Sequence, residues 1–196
     1  MPTLITGAIK SMKMPDAFSE HSERVGGMGS DNWMHSYRIP KERYPEITCR
    51  YSGYPLFGAE VAAFRNILNQ EAGVVFEQAN PQYCTKSNLD QVRQVSSALG
   101  NSGDNQISNP EGGPMFNLKK MEVREINGRS VLHVLGWFQD QELEPKVYLS
   151  CIFIDADPKS EQCRVEELYF QAFPLDLFDK YLSDFEQVLP TIKWTN

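Results

Sequence analysis

No stretch of this 196-residue chain is long and apolar enough to cross a bilayer, which takes roughly 20 hydrophobic residues in a row. The longest strongly apolar run, Val147 to Ile154, has the length of a strand and is interrupted by Ser150. The opening residues, MPTLITGAIKSMKMP, lack the basic stretch and apolar core of a secretory signal, so a cytoplasmic location is expected. Cysteine is scarce. Cys49, Cys84, Cys151 and Cys163 are too few for a disulfide scaffold and too scattered for the paired ligands of a zinc site. They read as free thiols in a reducing compartment. Histidine is scarcer still, and none of His21, His35 and His133 stands at short ligand spacing from another. Neither a metal nor any other cofactor is expected. Clusters of Lys and Arg are missing as well, and the formal charge is −7. Binding to nucleic acid or to an anionic membrane is therefore not expected. No repeat of fixed period is present.

What is there is the composition of a globular domain. Hydrophobic residues make up 41% of the chain, enough to build a core without staples. A single α/β domain spanning 1–196 follows. The charge is uneven. Through Gln139 there are 14 basic and 14 acidic residues, whereas Asp140 to Asn196 holds five basic and twelve acidic ones. The acidic end is compatible with a basic protein partner, such as a toxin or secreted effector, and also with a simple solvated surface.

Periodicity locates the elements. Met14 to Glu20 reads as a turn or short helix, and Gly26 to Ser30 as flexible punctuation. Asn32 to Ile39 and Glu46 to Tyr54 read as a strand pair, with Ile47, Cys49 and Tyr51 on one face. Gly58 to Ala72 reads as a helix with Val61, Phe64, Ile67 and Leu68 on its apolar side. A short strand at Val74 to Phe76 and a second helix at Ser87 to Leu99 follow. Asn101 to Pro114, rich in Gly, Asn, Ser and Pro, reads as a flexible loop. Leu118 to Ile126 and Arg129 to Phe138 flank Asn127-Gly128, the strongest short hairpin signal, since its turn needs positive φ at both central positions. Both alternating sets in the second of these strands are apolar, so that strand should be covered on both faces. Lys146 to Ile154 and Gln162 to Phe173 form a further hairpin. If its turn centres on Asp157, Cys151 and Cys163 fall opposite one another and a cross-strand disulfide becomes conceivable, with reduced thiols preferred. Leu175 to Leu189 is an amphipathic helix between Pro174 and Pro190.

The expected fold is α+β: a mostly antiparallel sheet of about six strands with helices packed on it, an α/β sandwich. The order resembles the Mog1/PsbP/DcrB-type sandwich. The resemblance rests on Met14-Pro15-Asp16-Ala17-Phe18 ahead of the first strands, the long hairpins of the second half, and the closing strand and helix that end in Val188-Leu189-Pro190-Thr191-Ile192-Lys193-Trp194. It covers most of the chain in element order, carries over no functional residue, and implies a non-enzymatic binding or assembly role.

The residues that could carry chemistry each have a plainer reading. Asp155 and Asp157 could hold a hard cation, yet Asp and Pro are ordinary turn formers. Cys49 or Cys84 could pair with His35 or His133 as a nucleophile, Cys49 with His35 being the more interesting pair, yet Cys49 shares a face with Ile47 and Tyr51 as a core thiol would. The glycines of 26–30 precede a strand where a phosphate cradle needs a helix. Of Glu166 and Glu167, one must face inward unless a bulge intervenes. The first strand pair is rich in the residues of binding hot spots: Trp33, Tyr37, Arg38, Arg43, Tyr44, Arg50 and Tyr54. Asp155, Asp157 and Glu161 offer a second, acidic surface. The expectation is a non-enzymatic protein-binding module of bacterial type, such as an immunity or inhibitor protein or a secretion adaptor. The alternative is a small enzyme or ligand-binding protein with a pocket between sheet and helices, using His35 with Cys49, or His133 with acidic strand residues.

Overall fold

The computed structural model describes residues 7–24, 33–56, 58–77, 106–107, 115–139 and 147–195. The chain runs β1 (Ile9–Ser11), β2 (Ser19–Arg24), β3 (Trp33–Arg38), β4 (Glu46–Leu56), α1 (Ala59–Leu68), β5 (Gly73–Glu77), β6 (Gln106–Ile107), β7 (Met115–Ile126), β8 (Arg129–Gln139), β9 (Val147–Asp155), β10 (Cys163–Ala172), α2 (Leu175–Val188), a 3-10 turn (Leu189–Thr191) and β11 (Lys193–Trp194). One nine-stranded sheet has the order β2-β3-β4-β10-β9-β8-β7-β5, with β6 also pairing to β7. Every pairing in it is antiparallel. The two described helices pack on it, giving the α+β sandwich. No helix among the described residues is long and apolar enough to cross a membrane.

The sheet is wider than the expected six strands. β2 is Ser-Glu-His-Ser-Glu-Arg, with no apolar alternation to announce it. It follows a turn in which the Phe18 N–H bonds the Pro15 carbonyl at 3.0 Å. β6 is two residues long and lies inside the segment read as loop. The helix expected at Ser87 to Leu99, the glycines of 26–30 and Cys84 fall outside the described residues. α1 stops at Leu68, short of Ala72, where the N–H of Asn69 caps the Arg65 carbonyl at 2.9 Å.

The pleat divides the core in two. On one face Ile152, Ile154, Leu168 and Phe170 meet Phe178, Phe185 and Val188 of α2. On the other, Leu132, Val134, Cys163 and Val165 meet Phe64 and Ile67 of α1. β8 sends Val131 to the first core and Leu132 to the second, so it is buried on both sides as its doubled apolar alternation requires. Its hairpin with β7 turns at Asn127 and Gly128, whose φ values are +50° and +79°. The Asn127 side chain donates to the carbonyls of Pro190 and Ile192 at 3.0 and 2.7 Å. The small β1–β11 sheet lies beside it, with the Trp194 indole donating to the Ile126 carbonyl at 2.8 Å.

The cross-strand disulfide does not form. In the β9–β10 ladder Cys151 faces Tyr169, whereas Cys163 pairs with Leu56 of β4. Six residues of strand, roughly 20 Å, separate Cys163 from the position opposite Cys151. Cys49, Cys151 and Cys163 are free and buried.

Candidate functional site

Of the surface expected on the β3–β4 pair, Tyr37 is taken into the core, while Arg38 and Arg50, 31% and 40% exposed, are held in ion pairs. Tyr37 is 1% exposed and belongs to the α2-side core, so it cannot present itself to a partner. Its place in the alternation with His35 turns its ring inward, a correction to the hot-spot reading. Arg38 donates from Nε and Nη2 to Oε1 of Glu46, at 2.9 and 2.7 Å, and Glu46 also receives the Gln171 amide. Arg50 reaches Glu167 of β10 at 3.3 Å. The Arg43 guanidinium lies 5.5 Å from the centre of the Tyr44 ring in the connecting turn, where Arg43 is exposed and Tyr44 half-buried. Trp33 and Tyr54 are placed by backbone pairing alone, opposite Tyr51 and Val165.

The acidic surface is also altered. Asp155 is 4% exposed, which removes it from any partner surface. Its Oδ2 accepts from Arg65 Nε at 2.9 Å, and its Oδ1 accepts the Asp157 N–H at 3.2 Å. The other two guanidinium nitrogens of Arg65 donate to the carbonyls of Ser160 and Asp157, at 2.8 and 3.0 Å. Arg129 donates to the Asp155 carbonyl. The turn read as a cation holder is thus already filled by an arginine from α1. Among the described residues no group of His, Cys, Asp and Glu is placed to hold a metal ion. Asp157 and Glu161 remain exposed.

Among the described residues the thiols are poorly placed for chemistry, and Cys84 lies outside them. Burial, with Glu166 and Glu167 nearby, pushes the Cys49 thiol far above its ordinary range, and burial does the same to Cys151. Burial and Asp155 push Cys163 to about 12. None of the three is available as a thiolate at neutral pH.

The adjacent glutamates take opposite faces of β10, since its ladder with β9 is regular there: Glu166 lies opposite Ile154 on the α2 side and Glu167 opposite Phe153 on the other, and the irregularity lies in β4 instead. Val165 pairs with Tyr54, but Glu167 pairs with Arg50, leaving extra β4 residues between them. Glu166 is buried and accepts the Ala8 N–H at 2.7 Å.

Two features on the α2 side bear on the alternative of a pocket between sheet and helices with His133 beside acidic strand residues; the sequence named His133 but neither the groove's lining nor Glu122 and Ser150. The first is a groove of about 460 Å³ between the sheet and the first half of α2. Leu135 and Trp137 of β8 and Tyr148 of β9 form its floor, and Leu175, Phe178 and Leu182 form its wall. Lys119 and Asp179 stand at its edges. The β7–β8 register slips between Leu118 and Lys120, making Lys119 the extra residue of a bulge, and this is how β7 brings a cation to the groove. The aromatic rings continue inward: Trp137 to Tyr148 at 6.4 Å, Tyr148 to Phe178 at 5.7 Å, and Phe178 stacked on Phe170 at 5.2 Å. The buried indole N–H of Trp137 has no acceptor among the described residues. Phe173 and Leu175, 37% and 43% exposed, lie at the start of α2, and Leu175 also lines the groove.

The second feature is a polar relay across three adjacent strands. Glu122 of β7 lies directly opposite His133 of β8, and its Oε1 is 2.9 Å from Nδ1. His133 Nε2 is 2.8 Å from Oγ of Ser150 on β9. Burial pushes His133 below the ordinary imidazole range, against the pull of Glu122, so the ring is neutral at neutral pH. Nδ1–H then donates to the carboxylate and Nε2 accepts from the serine hydroxyl. Hydrogen bonds from His133, Lys120 and Arg124 hold Glu122 well below the usual carboxylate range. The order serine, imidazole, carboxylate is that of a nucleophilic triad. Ser150, however, has no exposed surface and sits in the middle of a strand beneath α2, so no carbonyl can reach its Oγ in this state.

Compared with known proteins, the chain matches no family model, no curated protein and no solved structure.

Proposed function

We propose that this protein is a non-catalytic binding module that seats an apolar, basic-flanked segment of a partner protein in the groove between β8, β9 and α2. The groove itself carries the reading: an aromatic and aliphatic trough that α2 leaves open, continued at the surface by Leu175. Bound segments anchor themselves through a few apolar side chains in such pockets. Charge gives the partner its flank. Asp176 and Asp179 are exposed on the first turns of α2, in the acidic part of the sequence. They favour Lys or Arg where the bound segment runs along α2, away from Lys119 at the other edge. The element order resembling Mog1/PsbP/DcrB sandwiches fits such a role, as would an immunity protein or a secretion adaptor in the cytoplasm.

A displayed random-peptide library panned on the folded chain tests this. The expected result is enrichment of peptides with an aromatic or aliphatic anchor next to basic residues. Their binding should weaken at least tenfold in Leu175→Asp and Leu182→Glu variants that keep the wild-type circular dichroism. Panning without enrichment, or peptides indifferent to both substitutions, would sink the reading.

A second reading, a small-molecule site, draws on the Trp137 N–H, which lacks an acceptor among the described residues, and on a volume within the range of ligand pockets. A thermal-shift screen of small aromatic acceptors separates the two. Stabilisation by such compounds, with no peptide enriched, would favour the second.

A further inference from the structure

The relay and the groove are continuous. Along β9, Ser150 is the next position on the same face after Tyr148, and along β8, His133 is the next after Leu135. Tyr148 and Leu135 are groove floor. The relay therefore begins where the groove closes. It is also tied to the helix above. Arg124 donates from Nε to Glu122 at 2.6 Å and from Nη1 to Glu186 of α2 at 2.7 Å. Lys120 Nζ lies 2.5 Å from the other oxygen of Glu122.

The charge balance of this cluster depends on one proton. The groups facing His133 are Glu122, Lys120 and Arg124 from β7, Ser150 from β9 and Glu186 from α2. With a neutral imidazole, the two cations and two carboxylates cancel. A proton on His133 leaves a net positive charge on a ring 3% exposed, beneath a helix. It also turns Nε2 from acceptor to donor, so two donors, Nε2–H and the Ser150 hydroxyl, would face each other until the hydroxyl rotates. Uncompensated charge in such a site is relieved by letting in water.

We propose that the Glu122–His133–Ser150 relay is an acid-operated latch on α2: protonation of His133 loosens the helix from the sheet and weakens the groove's hold on its occupant. The occupant rests on the reading of the groove as a binding site; the loosening of α2 does not. In sign, a buried imidazole is protonated more readily once the helix has lifted. The closed state is thus undisturbed above about pH 6.5 and loses ground as the pH falls below it, by up to about tenfold per pH unit.

Hydrogen exchange of the α2 amides at pH 7.5 and 5.5, corrected for intrinsic rates, tests the latch. Protection of residues 175–188 is expected to fall several-fold in the wild type and to stay level in His133→Gln, which keeps a neutral hydrogen-bonding side chain. Peptides selected on the groove should lose affinity over the same interval in the wild type alone. Equal protection at the two pH values, or an equal fall in the variant, overturns the latch. Should His133→Gln fail to fold, the His133 ring is titrated by NMR in the wild type. Helix protection must then fall in step with its protonation, and a fall that does not follow that titration overturns the proposal. If no peptide binds at any pH, the groove reading fails while the exchange experiment still judges the latch.

Discussion

The Glu166 carboxylate fills the space a side chain at Gly7 would need: a Cβ built on Gly7 would clash with both of its oxygens. Gly7 also has a φ of +70°, and the neighbouring Ala8 N–H bonds that carboxylate. Only glycine meets both conditions. Gly7→Ala is expected to destabilise the protein by about 2 kcal/mol or more, read as a lower urea midpoint. In a Glu166→Ala background the same change should cost less, because only the backbone strain remains. A full, additive cost in the double variant would show that the close approach contributes nothing.

Arg65 is expected to be the most sensitive exposed-helix position. Arg65→Ala leaves the buried Asp155 carboxylate without its guanidinium and frees two carbonyls of the β9–β10 turn. A loss of about 3 kcal/mol follows. Arg65→Lys should recover little of it, since an ammonium cannot serve three acceptors in the planar fork geometry. Chemical denaturation of both variants checks the order.

Cys49, Cys151 and Cys163 are expected to resist maleimide in the native protein and to react fully in denaturant, because burial denies them both access and ionisation. Peptide mapping after each treatment gives the result. A linked Cys151–Cys163 peptide would contradict the strand register.

Stability against pH should show two limbs. His133 lies below its ordinary value, so its contribution is complete above about pH 6.5 and is lost as the pH falls through the depressed value. Glu122 also lies below its ordinary value, so its contribution is complete above about pH 4.3 and is lost further into acid. Denaturant midpoints are expected to be flat from pH 8 to about 6.5 and then to decline, more steeply below about 4.3. Glu122→Gln should remove the lower limb while lowering stability at pH 7, where Lys120 and Arg124 lose their counter-charge.

A fluorophosphonate probe is expected to leave Ser150 unmodified at neutral pH despite its imidazole and carboxylate partners, because its hydroxyl is sealed under α2. Labelling of Ser150 in the folded chain, seen by mass spectrometry, would reopen the enzymatic alternative.

Local pattern and long-range register differ in what they reveal. The doubled alternation of β8, the stripe of α2 and the Asn127-Gly128 turn all act between near neighbours, and each could be read directly. The relay was one step further and still within reach. Once the turn pairs Ile126 with Arg129, counting back places Glu122 opposite His133. Ser150 was not reachable that way, since its partner depends on how β9 meets β8 across a segment outside the described residues. The same limit explains the misplaced cysteines, whose opposition assumed a turn centred on Asp157 that β10 does not follow. Tyr37 looked like a binding residue because composition cannot tell a Tyr on the inner face from one on the outer. Arg65 gave no signal at all: its partners lie 90 or more residues away.

The Asn127 amide, held by carbonyls 63 and 65 residues further along the chain, has a consequence for how the molecule reaches its fold. A hairpin can zip up one residue out of step, and such a slip would send every side chain of the strand to the wrong face. A slipped β7–β8 pair would carry Asn127 away from both acceptors and Glu122 away from His133. The segment after α2 could then not dock. Docking of the closing segment therefore checks the alignment of the β7–β8 hairpin, and only the correctly aligned pair lets it seat.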